Sequence, residues 1–239
     1  MRLGTVAAVA IALWAPVNLA YQVAAKPTEL LAPLADWLNK TPAETWRDYA
    51  PLFRRNATEA VTPELLASLA QVESAGNPLA TTYWHWRFSL NPLAIYRPAS
   101  SSVGMFQMTD GAFAEARRFC IHEHRVADFA DDDASPCGMG ATYMRIFPSD
   151  AVELTAAYLD RKFVGLTAKR KPIAMTLQQR DNLAAMIHLC GTGPADEYLR
   201  HGFHLTPGKH CGDQDVAAYL ARVGAMKRQF VELAQADEP

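Results

Sequence analysis

Glu73 is the side chain in this sequence best placed for acid–base chemistry, and its neighbours say why. It falls within residues 62–78, TPELLASLAQVESAGNP. Thr62 suits a helix N-cap, Pro63 the first helical position, and Glu64 the positive end of the helix dipole. Leu65, Leu69 and Val72 recur at i, i+4 and i+7, and Leu66, Ala70 and Glu73 form the adjoining row. Glu73 therefore stands at the edge of an apolar stripe. Gly76 is expected as the C′ residue that ends the helix, and Pro78 forbids its continuation. In the last turn the negative end of the dipole disfavours a carboxylate. Together with partial burial this favours the protonated carboxyl that a general acid needs. An ordinary amphipathic helix with an outward-leaning Glu has the same pattern, so other residues must decide.

Those residues lie further along the chain. Gly104-Met105-Phe106-Gln107 combines a glycine suited to close approach or a tight turn, two apolar side chains suited to a cleft wall or the core, and an amide that either contacts a hydroxyl or amide or stays on the surface. His188 sits near the end of an apolar run, 183–189. Tyr83, Trp84, Trp86 and Tyr96 crowd a polar and aromatic excursion, 77–103, where Pro92 and Pro98 oppose long regular structure. Their rings suit either stacking on a ligand face or anchoring the loop.

The elements that must position these groups are helical. Residues 26–60 read as two short helices, the second opened by Thr41-Pro42-Ala43-Glu44. Thr109 or Asp110 caps a helix reaching about residue 119, and Ser149 or Asp150 caps one through 163. Residues 176–189 make an apolar, central helix stopped by Gly191 and Gly193-Pro194; a short helix covers 194–200, and a last amphipathic one runs from about 215 to 233. No strand series emerges, although a small β-hairpin within 121–147 is compatible with the pattern. The acidic run Asp131-Asp132-Asp133 reads as a solvated loop. The expected fold class is mainly α, organised as residues 26–60 (lead-in), 61–205 (main domain) and 206–239 (a loop and helix packed on it).

With 239 residues, half of them hydrophobic, the chain can bury a sizeable core, and a net charge of −2 with no basic run gives nucleic acid no footprint. Residues 1–25 look like a targeting segment: Arg2, then an apolar run over 6–13, then Val23-Ala24-Ala25 as a signal-peptidase site. The stretch 3–25 is also long enough for an uncleaved membrane anchor, interrupted by Pro16 and Asn18, and both readings stand. Either one implies export. Four cysteines fit an exported chain with two disulfides, most simply Cys120–Cys137 and Cys190–Cys211 among three pairings. Cys120, His122, His124, His210 and Cys211 offer a zinc alternative, without the regular spacing of a zinc site.

Taken in order, three blocks resemble the lytic transglycosylases with an SLT-type, goose-lysozyme-like domain. Glu73-Ser74 at a helix end is like the family's E-S, Gly104-Met105-Phe106-Gln107 is similar to its G-L-M-Q, and LAAMIHLCG at 183–191 looks like its apolar helix ending in A-A-Y-N-A-G. The resemblance covers about residues 60–200. It implies a lysozyme-like helical fold and a periplasmic enzyme acting on peptidoglycan, cleaving between N-acetylmuramic acid and N-acetylglucosamine to leave 1,6-anhydromuramoyl ends. It implies Glu73 as the single acid and base, Ser74, Gly104, Met105, Phe106 and Gln107 around the substrate, and no cofactor or metal. Most glycosidases need two carboxylates; one suffices if the nucleophile is the substrate's own C6 hydroxyl.

Three departures stand out. The family Tyr that bonds the catalytic Glu is His188 here; a neutral imidazole donates the same bond, whereas a protonated one favours the carboxylate and weakens the acid. The family Asn is Leu189, and Cys190 replaces a small Ala. The segment between Glu73 and Gly104 is longer, and its Tyr83, Trp84, Trp86 and Tyr96 suit a glycan clamp. Two other readings remain: a hydrolase using water and a second carboxylate, for which Asp110 is the nearest candidate, or a non-catalytic glycan-binding scaffold of an envelope machine.

Overall fold

Capping residues set most of the helix starts. The computed structural model describes residues 3–129, 143–168 and 174–237. The helices are α1 (Leu3–Ala25), α2 (Ala32–Ala35), α3 (Pro42–Asn56), α4 (Pro63–Ser74), α5 (Asp110–Ala116), α6 (Pro148–Thr167), α7 (Leu177–Cys190), α8 (Thr192–Arg200) and α9 (Val216–Ala236). Thr41 and Thr176 each close a capping box, with Glu44 and Gln179 reaching back; Thr62, Thr109 and Asp215 accept from the first-turn amides of α4, α5 and α9. Besides short 3-10 turns at Pro27–Leu31, Asp36–Leu38 and Pro92–Ala94, the described residues form three antiparallel hairpins: β1 (Trp84–Trp86) with β2 (Tyr96–Pro98), β3 (Phe119–His122) with β4 (Arg125–Asp128), and β5 (His210–Cys211) with β6 (Gln214–Asp215). The fold is mainly helical.

The core is built around α4. Leu65, Leu66, Leu69 and Ala70 are fully buried, packed among Trp46 and Phe53 of α3, Leu183 and Ile187 of α7, and Tyr219, Val223 and Phe230 of α9. Burying each such leucine contributes about 1.5–3 kcal/mol. This one core runs across both expected boundaries, at 60/61 and 205/206. Trp46 stacks on Phe53 and donates through Nε1 to Asp237 at 2.7 Å, tying α3 to the end of α9. Residues 42–56 and 216–236 are thus walls of the domain.

Local departures have local causes. The helix expected to reach 119 stops at Ala116, because Phe119-Cys120-Ile121-His122 pairs with 125–128 around a turn in which Glu123 and His124 both have positive φ, 47° and 62°. That is the twist two-residue hairpin turns favour, and it places the hairpin at 119–128. α6 opens earlier than Ser149 or Asp150: Pro148 takes the first helical position, and Asp150 accepts instead from the Met144 amide at 2.9 Å. The acidic run 131–133 lies outside the described residues.

Cys190 at the end of α7 is bonded to Cys211 of β5, with Cα atoms 5.4 Å apart. Cys120 is also disulfide-bonded, and its expected partner, Cys137, lies outside the described residues. The Cys190 bridge closes a loop with a sequence separation of 21, so replacing Cys190 and Cys211 by serine should cost about 3 kcal/mol. Urea unfolding of the oxidised wild type beside the double variant measures it; equal midpoints would contradict the expectation.

Candidate active site

The carboxyl of Glu73 lies where α4, α7 and α9 meet. At the helix end Ala75 takes a left-handed conformation (φ 52°) and Gly76 follows with φ 67°; the Gly76 amide bonds back to Ala70 O at 3.1 Å. Gly76 is required twice over, since a Cβ there would stand 2.3 Å from Thr45 Oγ1 of α3. The chain therefore turns sharply immediately after Glu73 and Ser74.

Tyr219, from α9, donates its hydroxyl to Glu73 Oε1 at 2.5 Å, while His188 Nε2 stands 3.6 Å from the same oxygen. The expected stand-in for the family tyrosine, His188, is thus beside the carboxyl but beyond hydrogen-bond length, and a tyrosine from another helix makes the short bond. Glu73 Oε2 has no hydrogen-bond partner among the described residues, and the Glu73 side chain is 17% exposed. Burial, and then the Glu73 carboxylate, hold the Tyr219 phenol protonated well above its ordinary range, so it remains a donor at any physiological pH.

Sequence reasoning missed Tyr219. It shares an apolar row with Val216, Leu220 and Val223, and a hydroxyl on a buried stripe requires a polar partner; that was the available signal. Its helix is held in register from two sides. Lys227 of α9 pairs with Asp181 of α7 at 2.5 Å, and Asp215, which caps α9, is the last residue of the hairpin that Cys211 ties to the end of α7.

Ser74 and the 104–107 segment form the next layer. The Ser74 hydroxyl lies 2.8 Å from Met105 O and accepts from the Asn77 amide at 3.2 Å, clasping the loop to the helix end. Met105 and Phe106, expected to wall a cleft, are 0% and 1% exposed in the core, so they support the floor and offer no surface. Gly104 does permit a close approach, but to the protein's own backbone: at φ 78° a Cβ would meet Arg145 O at 2.3 Å. Gln107, itself at φ 47°, spends its amide N–H groups on Ala80 O and Gly104 O, both at 3.0 Å. Its expected contact to a sugar can involve only the amide oxygen in this arrangement.

The four aromatic residues divide. Tyr83 reaches across to the tip of the β5–β6 hairpin, donating to Asp213 Oδ2 at 2.6 Å, and that carboxylate holds its phenol above the ordinary range. Trp84 donates to Glu29 Oε2 at 2.8 Å; Tyr96 packs on Trp84 and Trp86, and Trp86 stacks on Trp14 of α1. Three of the four thus anchor β1 and β2 to the N-terminal segment. Asp110, the nearest candidate for a second carboxylate, pairs with Arg145 at 2.6 Å at the start of α5. Cys190 and Cys211 are bridged, which removes them from a zinc donor set.

What the arrangement can do chemically is hold one carboxyl, oriented by a permanent donor on Oε1 and free at Oε2, next to an imidazole. Comparison of the sequence with protein-family models and with curated proteins finds no match in either.

Gly104→Ala adds a side chain to a left-handed position against a backbone carbonyl, and strain of this kind costs about 1–3 kcal/mol before any displacement of residues 104–107. The variant should unfold at lower urea than wild type, and a midpoint equal to wild type would contradict the close approach.

Proposed function

We propose that the chain is an exported peptidoglycan lytic transglycosylase with a lysozyme-like catalytic domain, in which Glu73 serves in turn as acid and base. The observation that carries the reading is the single carboxyl oriented by a buried phenol, in a helical chain whose three sequence blocks resemble that family. Protonated Oε2 gives its proton to the glycosidic oxygen as the bond from C1 of N-acetylmuramic acid breaks. The carboxylate so formed then takes the proton of the C6 hydroxyl as that oxygen attacks C1. The ring closes to the 1,6-anhydro product, the acid is regenerated, and no water is consumed.

The pairing of Asp110 with Arg145 weighs against a hydrolase, which needs a carboxylate on the far side of the sugar. Residues 77–103 would bear on the glycan through Tyr83, not through the ring cluster of Trp84, Trp86 and Tyr96. The apolar α1 and the disulfide fit an oxidising compartment outside the cytoplasm, the periplasm.

Digestion of purified sacculi followed by mass spectrometry of the released muropeptides tests this. Wild type should release anhydromuramoyl products and Glu73→Gln none. Reducing ends would identify a hydrolase, and binding without release at any pH from about 4 to 8 would identify a glycan-binding module.

Tyr219 is a positioning residue on this reading. Loss of a hydrogen bond to a charged group is worth about 1.5–3 kcal/mol, so Tyr219→Phe should lower kcat by roughly ten- to a hundredfold with KM nearly unchanged. A purely structural role would instead lower the unfolding midpoint and leave kcat per folded molecule intact.

A further inference from the structure

The N-terminal helix has two chemically distinct sides. Its only amide side chains, Asn18 and Gln22, are 2% and 6% exposed and donate to Tyr96 O at 2.9 Å and Leu93 O at 2.5 Å. On the same row Trp14 Nε1 donates to Pro92 O at 3.1 Å and Lys26 Nζ to Ser100 O at 3.3 Å. Residues 14, 18, 22 and 26 thus seat the helix on the backbone carbonyls of 92–100 at intervals of four. The far row, Val9, Leu13 and Val17, is half or more exposed and wholly apolar. The hairpin on which α1 docks stacks Trp86 of β1 on Trp14 at 6.0 Å, and in the turn that follows β1 Phe88 and Leu90 are 92% and 94% exposed. Exposed apolar side chains on two elements docked together in this way mark a contact with lipid or protein.

Length and composition alone allow a membrane span. The window Ala8–Ala25 has a mean hydropathy of 1.5, and the helix at ~1.5 Å per residue exceeds a hydrocarbon core of ~30 Å. Docking argues otherwise. A spanning α1 would draw the hairpin into hydrocarbon with its exposed Arg87 and Asn91 and its unpaired strand edges, which lipid does not accept. Undocked, it would expose both amides to lipid without partners. A helix lying in the interface bears neither cost, because its amides stay on the protein and its apolar row meets the acyl boundary.

We propose that α1 and the β1–β2 turn bind a phospholipid bilayer as one unit, with α1 lying in the plane of the interface and Phe88 and Leu90 inserted beside it. Arg87, between Trp86 and Phe88, reaches the headgroup phosphates while the flanking rings enter the acyl region. The proposal is independent of the chemistry at Glu73.

The test uses the full chain recovered from an exporting host, whose mass must show α1 retained; loss of residues 1–25 would overturn the proposal. Single cysteines at Val9→Cys, Val17→Cys and Phe88→Cys, with Glu232→Cys on the exposed face of α9 as a reference, are labelled without reduction with an environment-sensitive fluorophore. The labelled proteins are reconstituted from detergent into vesicles of phosphatidylethanolamine with a minority of phosphatidylglycerol carrying depth-graded quenching lipids. Positions 9, 17 and 88 should blue-shift and be quenched, with 9 and 17 at equal shallow depth and 232 unaffected. A spanning helix would place 9 and 17 about 12 Å apart in depth, eight residues at ~1.5 Å, and would overturn the in-plane arrangement. An unquenched position 88, or a blue shift that appears without vesicles because a second copy covers the surface, would overturn it too.

Discussion

The arrangement at the end of α4 depends on one hydrogen bond, in which the Tyr219 hydroxyl of α9 donates to Oε1 of the partly buried Glu73 carboxyl. To deliver the hydroxyl, α9 must lie against α4, and its position is held by the Asp181–Lys227 pair, the Trp46–Asp237 bond and the disulfide next to its cap. Each of these clamps acts on the helix that brings Tyr219, and none touches the carboxyl itself. The orientation of the acid is therefore a property of the packing of the whole domain.

The segment 104–107 shows the same division of labour. Met105 and Phe106 are core, Gly104 makes room for Arg145 O, and Gln107 and Ser74 hold the loop shut with backbone-directed hydrogen bonds. A motif that reads as substrate-contacting is, in this chain, mostly the support that fixes the chain immediately after Glu73. Its residue types are dictated by sterics and by hydrogen-bond accounting as much as by a ligand.

Local chemistry was the legible part of the sequence. Thr41, Thr62, Thr109, Thr176 and Asp215 mark helix starts through side-chain preferences that act within one turn, while the even cysteine count gives two disulfides but leaves three pairings open, of which the fold makes Cys190–Cys211. The missed features are tertiary. The resemblance puts His188 in the place of the residue that bonds Glu73, but the bond is made by Tyr219, 146 positions away; its buried row signals a need for a polar partner without saying which. The roles of Trp84, Trp86 and Tyr96 were likewise undetermined, since a ring's partner, a sugar or Trp14, is chosen by how α1 docks. The packing of the lead-in and of the last helix on the main domain is tertiary as well, made by Trp46 on one side and Phe230 on the other.

The separation between Glu73 and Tyr219 also orders events in time. The acid is synthesised early and its orienting phenol late, so a partly emerged chain carries the helix of Glu73 without the hydroxyl that sets it. Contacts this distant in sequence form only after long loops close, and here the closing elements include a bridge that requires an oxidant. A site built in this way stays incomplete during synthesis and is assembled only once α9 has packed on α4 and the bridge has formed.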